Sequence, residues 1–149
     1  MAVNILSKRV ADVADLPCKN PDGSPMVDDA GNPSSATVFG PGTKIWQVAD
    51  AAKKRKGVKR TREANGKTEA YFDNEVEDII EFLCAITKRF NNMEIEGFTG
   101  SDKDFVRAVY SDPLLGYIRD HMDADTRNWE NFTKASLSLL SFGSDNQPG

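Results

Sequence analysis

The sequence has few of the residues on which disulfide-stabilised and metal-binding proteins depend. It contains only two cysteines, Cys18 and Cys84, and one histidine, His121. Two distant cysteines cannot build a disulfide framework, and the sequence has neither a CxxC motif nor a Cys/His cluster for zinc. We therefore expect a protein of a reducing compartment that uses no metal and no other cofactor.

Long apolar runs are also missing. No stretch approaches the roughly 20 apolar residues that cross a bilayer as a helix. Near the N-terminus, Lys8 and Arg9 follow a short apolar stretch, which reverses the order found in a signal peptide. The sequence therefore predicts a protein that stays where it is made and has no membrane partner.

A catalytic constellation does not stand out either. Catalysis needs a titratable group beside a suitable partner. His121 lies among aspartates on a polar stretch, which is typical of a solvated surface histidine. Cys84 falls beside an apolar stripe, which favours a buried structural role. Residues 40–44 depart from a phosphate-binding loop because Thr43 separates the last glycine from Lys44. We predict that the chain is not an enzyme.

Length and charge indicate one ordinary globular domain. The 149 residues suffice for a single modest core, and the charged and apolar fractions, 28% and 39%, are common among globular proteins. The formal net charge of −4 disfavours a protein coated in nucleic acid.

Turn-forming residues dominate the first forty positions. Asn, Asp, Gly and Pro cluster at 20–25 and again at 29–33, and Met26 with Val27 forms a candidate short strand between them. Residues 36–39 favour a second strand, which the Gly-Pro-Gly at 40–42 ends. Together these segments predict a small hairpin or sheet.

The pattern becomes helical after residue 42. Thr43 can cap a helix over residues 44–62. An apolar stripe with spacings of three and four predicts a second helix over residues 68–90. The stripe consists of Phe72, Val76, Ile79, Ile80, Leu83, Ile86 and Phe90.

Three shorter helical segments follow. Ser101 or Asp102 can cap the first, and Asp112 with Pro113 begins the second, whose buried face includes Leu114. Residues 129–132 belong to the third, and the Ser-rich residues 136–149 are expected to form a flexible tail. We predict an α+β fold in which a small N-terminal β hairpin or sheet with long turns precedes a predominantly α-helical body. A single domain would cover residues 1–135, with a β/turn region at 1–42 and the helical body at 43–135.

Two oppositely charged segments are the sharpest feature of the sequence. The basic segment contains Lys53, Lys54, Arg55, Lys56, Lys59, Arg60 and Arg62. The acidic segment, in the first half of the second helix, contains Asp73, Glu75, Glu77 and Asp78.

Three interpretations of this charge pattern remain open. The basic segment can be a solvated helix face, or it can contact nucleic acid phosphates. The absence of interleaved aromatic residues argues against nucleic acid. Alternatively, the two segments can pair within one molecule or between neighbours, and head-to-tail pairing between neighbours predicts a homo-oligomer.

Several motifs, taken in their order along the chain, resemble one known family. They read VFGPGTK at 38–44, EFLCAIT at 81–87, FNN at 90–92, EG at 96–97, AVYSDP at 108–113, LGYIRD at 115–120 and NF at 131–132. In this order they resemble the tail assembly chaperones of long-tailed, non-contractile (siphovirus-type) bacteriophages. The likeness covers about residues 10–134 and is strongest at 110–120.

The resemblance implies a function without an active site. Such chaperones bind the tape-measure protein in the host cytoplasm, keep its apolar segments from aggregating, and help tail-tube protein to polymerise around it. They leave before the virion matures. Many are also made in a longer, frameshifted form, and residues 136–149 would be where such an extension joins. Apolar residues of this tail are candidate contacts with a neighbour or client, and they are Leu137, Leu139, Leu140 and Phe142.

Two alternative functions fit the same residues. A nucleic-acid-binding accessory protein would use the basic helix at 53–62. A structural head–tail component would be present in purified virions, whereas a chaperone would be absent from them.

Overall fold

In the part of the chain that the structure describes, a three-stranded antiparallel sheet and four α-helices make up the fold. The computed structural model describes residues 1–64 and 68–133, and the side chains of residues 1–62 and 75–133. The strands are β1 (Val13–Pro17), β2 (Ser35–Phe39) and β3 (Thr87–Asn91), in the order β1-β2-β3. The helices are α1 (Lys44–Ala64), α2 (Thr68–Ile86), α3 (Asp102–Ser111) and α4 (Gly116–Thr126). Short 3-10 helices cover Ile5–Lys8, Pro113–Leu115 and Trp129–Phe132. The predicted α+β class is confirmed.

The third strand is the main departure from the predicted helices. Helix α2 ends at Ile86, and Thr87–Asn91 pairs with β2, so a helix reaching residue 90 was wrong. Phe90 keeps the four-residue spacing from Ile86 and therefore fits a helical pattern equally well. In the strand it packs instead against the ring of Tyr110, with 5.2 Å between centroids. The segment expected as a helical body thus also contains a strand.

The segment between the turns at 20–25 and 28–33 forms isolated β-bridges and not a strand. The candidate strand at Met26 and Val27 was wrong, and the first strand is β1. Met26 N donates to Cys18 O over 3.0 Å, and Ser34 N donates to Met26 O over 2.9 Å. These two hydrogen bonds cannot extend into a β ladder, because a turn lies directly beside them on each side, at residues 20–25 and 28–33.

Asn92 fastens this segment to the end of β3. Its backbone has a φ of 53°, a left-handed conformation that asparagine tolerates better than most residues. Its Nδ2 donates to Asp28 Oδ2 over 3.1 Å and to Asn32 O over 3.0 Å. Hydrogen bonds from the Asn32 backbone and the Asn92 side chain lower the pKa of Asp28. These hydrogen bonds therefore fix the position of the turn at 28–33 relative to the end of β3.

Local capping signals mark the helix starts. Thr43 Oγ1 accepts from Trp46 N over 3.2 Å at the start of α1. Ser101 and Asp104 form a capping box on α3. Asp112 Oδ1 accepts from Leu114 N over 2.9 Å and begins the 3-10 turn before α4. The predicted starts of these three segments are confirmed.

Two residues expected to be buried are exposed. Leu114 is 87% exposed because the 3-10 turn at Pro113–Leu115 directs it outward, and Leu115 packs on the core in its place. Val76, in the middle of α2, is 37% exposed. The helical spacing of both residues agreed with burial, so only the packing of neighbouring elements decided otherwise.

The core lies between the sheet and helices α2, α3 and α4. Its fully buried large side chains are Leu16, Val38, Leu83, Ile86, Val106, Val109, Tyr110, Met122 and Phe132. Phe132 reaches from the last 3-10 helix to Gly40, where a Cβ would stand 2.8 Å from its ring. Glycine at position 40 therefore lets the end of β2 pack against this ring.

Candidate functional site

Helices α1 and α2 pack side by side and bring the basic and acidic segments together. Arg60 forms two hydrogen bonds with Asp78, one of them from Nη2 to Oδ1 over 2.6 Å. Asp78 is buried, and the Arg60 side chain is 22% exposed. At this point the two segments pair within one molecule, as one of the open interpretations allowed.

A second charge cluster joins α1 to the end of α4. Asp50, which is 7% exposed, accepts from Lys54 Nζ over 2.9 Å and from Arg127 Nη1 over 3.0 Å. Arg127 Nε donates to Asp123 Oδ1 over 3.3 Å. Burial disfavours the ionised form of Asp50, but the bonds and charges of Lys54 and Arg127 outweigh that effect and lower its pKa. Asp50 is thus held as a carboxylate.

Aromatic rings make cation–π contacts with the basic side chains around this cluster. The guanidinium carbon of Arg127 lies 4.7 Å from the ring centroid of Phe82 and 5.4 Å from that of Trp46. Lys53 Nζ lies 5.9 Å from the same Phe82 centroid. Trp46 Nε1 donates to Thr126 Oγ1 over 3.2 Å, which fixes the indole. Cation–π attraction therefore holds two cations around one ring.

A cleft of about 220 Å³ opens beside these residues. It is lined by Asp50, Lys53, Lys54, Gly57, Arg60, Glu75, Asp78 and Arg127. Gly57 leaves its wall open, since no heavy atom of the described residues lies within 4 Å of where a Cβ would be. Nη2 of Arg127 is buried and has no hydrogen-bond partner among the described residues.

The outward side of α1 combines cations with apolar side chains. Arg55, Lys56, Lys59 and Arg62 are exposed, and the side chain of Lys54 is 75% exposed. Three large apolar residues of the same helix are about half exposed, namely Ile45, Val48 and Val58. We call the exposed residues Ile45, Val48, Arg55, Lys56, Lys59 and Arg62 the outer face of α1.

The predicted contact residues therefore divide into separate groups. Lys53, Lys54 and Arg60 line the cleft, whereas the other four residues of the basic segment are exposed outside it. Glu75 and Glu77 are exposed, and Asp78 is buried. The side chain of Asp73 lies outside the described residues. So do the predicted tail contacts Leu137, Leu139, Leu140 and Phe142.

Sequence reasoning did not single out Asp50, Trp46 or Arg127 as site residues. The spacing of Asp50 and Lys54 is that of a helical ion pair, and this signal was available. Arg127 lies 77 positions from Asp50, so no local pattern could connect them. Its position among Asp120, Asp123 and Asp125 gave no indication of a buried partner.

The cysteines and the histidine lie apart from this cluster. Cys18 is buried, and burial raises the pKa of its thiol to about 12. Cys84 is only half-buried, less than expected, and burial raises its pKa too. Raised thiol pKa values disfavour the nucleophilic thiolate. His121 is half-buried beside Tyr117, with 6.3 Å between ring centroids, and is less solvated than its polar neighbours suggested.

Over residues 1–64 and 68–133, no group of three or more His, Cys, Asp or Glu side chains is arranged to hold a metal ion. In the same part of the chain, no helix combines the length and apolar character that crossing a bilayer requires. Models of known protein families, curated protein sequences and solved structures gave no match to the chain.

Proposed function

We propose that this chain is a non-catalytic tail assembly chaperone of a long-tailed bacteriophage. It binds the tape-measure protein in the host cytoplasm, promotes assembly of the tail tube, and is absent from the mature virion. The ordered motifs over residues 10–134 support the proposal by their resemblance to that family. The observation that carries it structurally is the outer face of α1.

A chaperone for a long apolar client needs a surface that can cover apolar residues without aggregating itself. On the outer face of α1, Ile45 and Val48 supply apolar contact area near the N-terminal end. Arg55, Lys56 and Arg62 supply charge further along, which keeps this surface soluble. An amphipathic client helix with acidic flanking residues matches such a surface, because helices bind through periodic apolar anchors.

Co-expression with the tape-measure protein of the same genome tests the proposal. We expect the tape-measure protein to become soluble and to co-purify with the wild-type chain. Double replacement Ile45→Asp and Val48→Asp should abolish co-purification, because it places charge at the apolar anchors. Val27→Asp is the matched control, since Val27 is equally exposed but lies in the turn segment.

A longer form of the chain, extended beyond residue 149 in the alternative reading frame, belongs in a parallel co-expression. A tape-measure protein that stays insoluble with both forms, while each purifies alone, would refute the chaperone proposal. Equal co-purification of the Ile45→Asp/Val48→Asp variant would instead remove the outer face of α1 as the contact surface.

Self-association is part of the same proposal. Glu75 and Glu77 are exposed on α2, and the cations of the outer face of α1 are exposed on the other helix. Contact between these surfaces on neighbouring copies would form a homo-oligomer that weakens at high ionic strength, since salt screens exposed charges. Light scattering that reports a monomer at both low and high salt would contradict it.

Nucleic acid binding is the second candidate function, and the exposed cations of α1 favour it. Four of them, Arg55, Lys56, Lys59 and Arg62, lie within eight positions on one helix. Phosphate contacts would give an affinity that falls steeply with salt in a gel-shift assay. A structural head–tail component is the third candidate, and detection of the chain in purified virions would favour it over a chaperone.

A further inference from the structure

Strand β1 lies at one edge of the sheet, and half of its backbone groups point away from β2. Gly40 N donates to Asp12 O over 2.8 Å, and Cys18 N donates to Ser34 O over 2.9 Å. Hydrogen-bonded positions alternate along an antiparallel strand. The even-numbered residues of β1 therefore bond β2, whereas the odd-numbered residues direct their N–H and C=O groups outward.

This outer edge is open to a further strand. Among the described residues, no backbone group bonds the outward N–H and C=O groups of Val13 or Asp15. Proteins usually block such edges with charges, proline or a bulge. The opposite edge has these features, since β3 carries the exposed cations Lys88 and Arg89 and pairs with β2 through a register shift. The register of β1 is regular, its one proline is its last residue, and the Asp15 carboxylate is engaged by Thr37 Oγ1.

The described residues end beside this open edge. Phe132 O accepts from Ala11 N over 2.8 Å, and this N–H is the outward one that precedes Val13. Thr133 follows in an extended conformation, with a φ of −78° and a ψ of 158°. A chain that continues from this point along β1 runs parallel to it and reaches Val13 within a few residues, at about 3.3 Å per residue.

The residues that follow alternate in the manner of a strand. Ala135, Leu137 and Leu139 alternate with Ser136 and Ser138. A period of two places the apolar side chains on one face of a strand and the serines on the other, as in a sheet that packs on a core through one face. When extended, residues 134–140 span roughly 20 Å, which equals the span of residues 11–17.

We propose that residues 134–140 add to the outer edge of β1 as a fourth strand, parallel to β1 and in the same molecule. Their backbone bonds the outward N–H and C=O groups of Val13 and Asp15. A segment of this chain is the occupant, because the bond between Ala11 and Phe132 already holds the preceding residues at the start of the edge.

The fourth strand changes two expectations drawn from the sequence. The tail then begins after residue 140 and not at residue 136. Leu137 and Leu139 pack along the sheet and not against a neighbour or client. The proposal goes beyond the chaperone function and does not rest on it, because it concerns only contacts within the chain.

Amide hydrogen exchange of the whole 15N-labelled chain tests the proposal, and we expect the Val13 and Asp15 amides to exchange slowly. Leu137→Pro/Ser138→Pro removes two neighbouring N–H groups. One of them faces β1 in either register, because successive N–H groups point to opposite sides of a strand. The double replacement should speed exchange of both amides about tenfold, as expected for one lost hydrogen bond. The Leu16 amide faces β2, so its unchanged rate would report an intact sheet.

Ser144→Pro/Asp145→Pro is the matched control, since the same change beyond residue 140 should leave both amides as slow as in the wild type. Equal exchange rates of Val13 and Asp15 in the wild type and in the Leu137→Pro/Ser138→Pro chain would overturn the proposal. Slow exchange that depends on protein concentration would also overturn it, and would assign the edge to a strand from a second copy. None of these measurements involves the tape-measure protein, so a failure here is separate from a failure of the chaperone function.

Discussion

Replacing Arg127 by methionine should destabilise the fold by about 2 kcal/mol. Removing one partner of a fully buried ion pair costs about 3–5 kcal/mol, because it leaves an uncompensated charge. Asp50 is 7% exposed, but the Arg127 side chain is 32% exposed and Lys54 still faces the carboxylate. Solvent screening and this remaining partner reduce the expected loss. Methionine retains contact with the rings of Trp46 and Phe82, so the change reports mainly on the charge.

A double-mutant cycle with Asp50→Asn isolates the pair. We expect a coupling energy between Asp50 and Arg127 of about 1–2 kcal/mol. Urea unfolding followed by far-UV circular dichroism is the suitable assay, because the fluorescence of Trp46 would respond to the substitution itself. Arg107→Met is the matched control. Arg107 donates two hydrogen bonds to the carboxylate of Glu81, whereas Arg127 donates one to Asp50 and one to Asp123. The side chains of Arg107 and Glu81 are 50% and 41% exposed.

In a double-mutant cycle of Arg107→Met with Glu81→Gln, the coupling energy of this exposed pair should be under about 1 kcal/mol. If the effects of Arg127→Met and Asp50→Asn add to within about 0.3 kcal/mol, the assignment of this cluster as a stabilising charge pair is refuted.

The Asp50–Arg127 pair should also make the stability of the fold depend on pH in the acidic range. The pKa of Asp50 is lower in the folded than in the unfolded chain, so its contribution is present above the unfolded pKa of about 4 and is lost as pH falls through the folded pKa. Stability of Asp50→Asn should therefore decline less steeply below about pH 4.

Gly40→Ala should destabilise the fold by about 1–3 kcal/mol, measured by urea unfolding, because its Cβ would overlap the buried ring of Phe132. Gly57→Ala should instead stabilise it by up to about 1 kcal/mol, since the site is helical and open, and equal effects at the two glycines would contradict this reasoning. Tyr110→Phe should lower the free energy of unfolding by about 1–2 kcal/mol. It removes the Tyr110 hydroxyl, which lies 2.9 Å from the buried Thr87 hydroxyl, and so leaves that hydroxyl without its hydrogen-bond partner. Adding Thr87→Val should recover part of that loss, and a further loss of similar size would show that the hydrogen bond is not responsible.

Local signals determined much of the helical architecture. Thr43, Ser101 and Asp112 identified the starts of their segments because a cap bonds to backbone groups only two or three positions away. Strand β2 was predictable from its composition and from the Gly-Pro-Gly that follows it. The charge pattern likewise revealed two complementary segments, although it did not decide whether they pair within one molecule.

Tertiary structure decided the features that depend on distant partners. Thr87–Asn91 became a strand because β2 offers a pairing edge and the Tyr110 ring covers Phe90, while the spacing of Phe90 alone continued the helix. The orientation of α1 against α2 placed Lys53 at the cleft and left most of the basic segment exposed. The Asp50–Arg127 pair joins positions 77 apart, and hydrogen bonds of that kind have no periodicity for a sequence to display. Capping and helix periodicity depend on residues a few positions apart, so they can be predicted from the sequence. A buried charge acquires its partner only when the chain folds, so that pairing cannot.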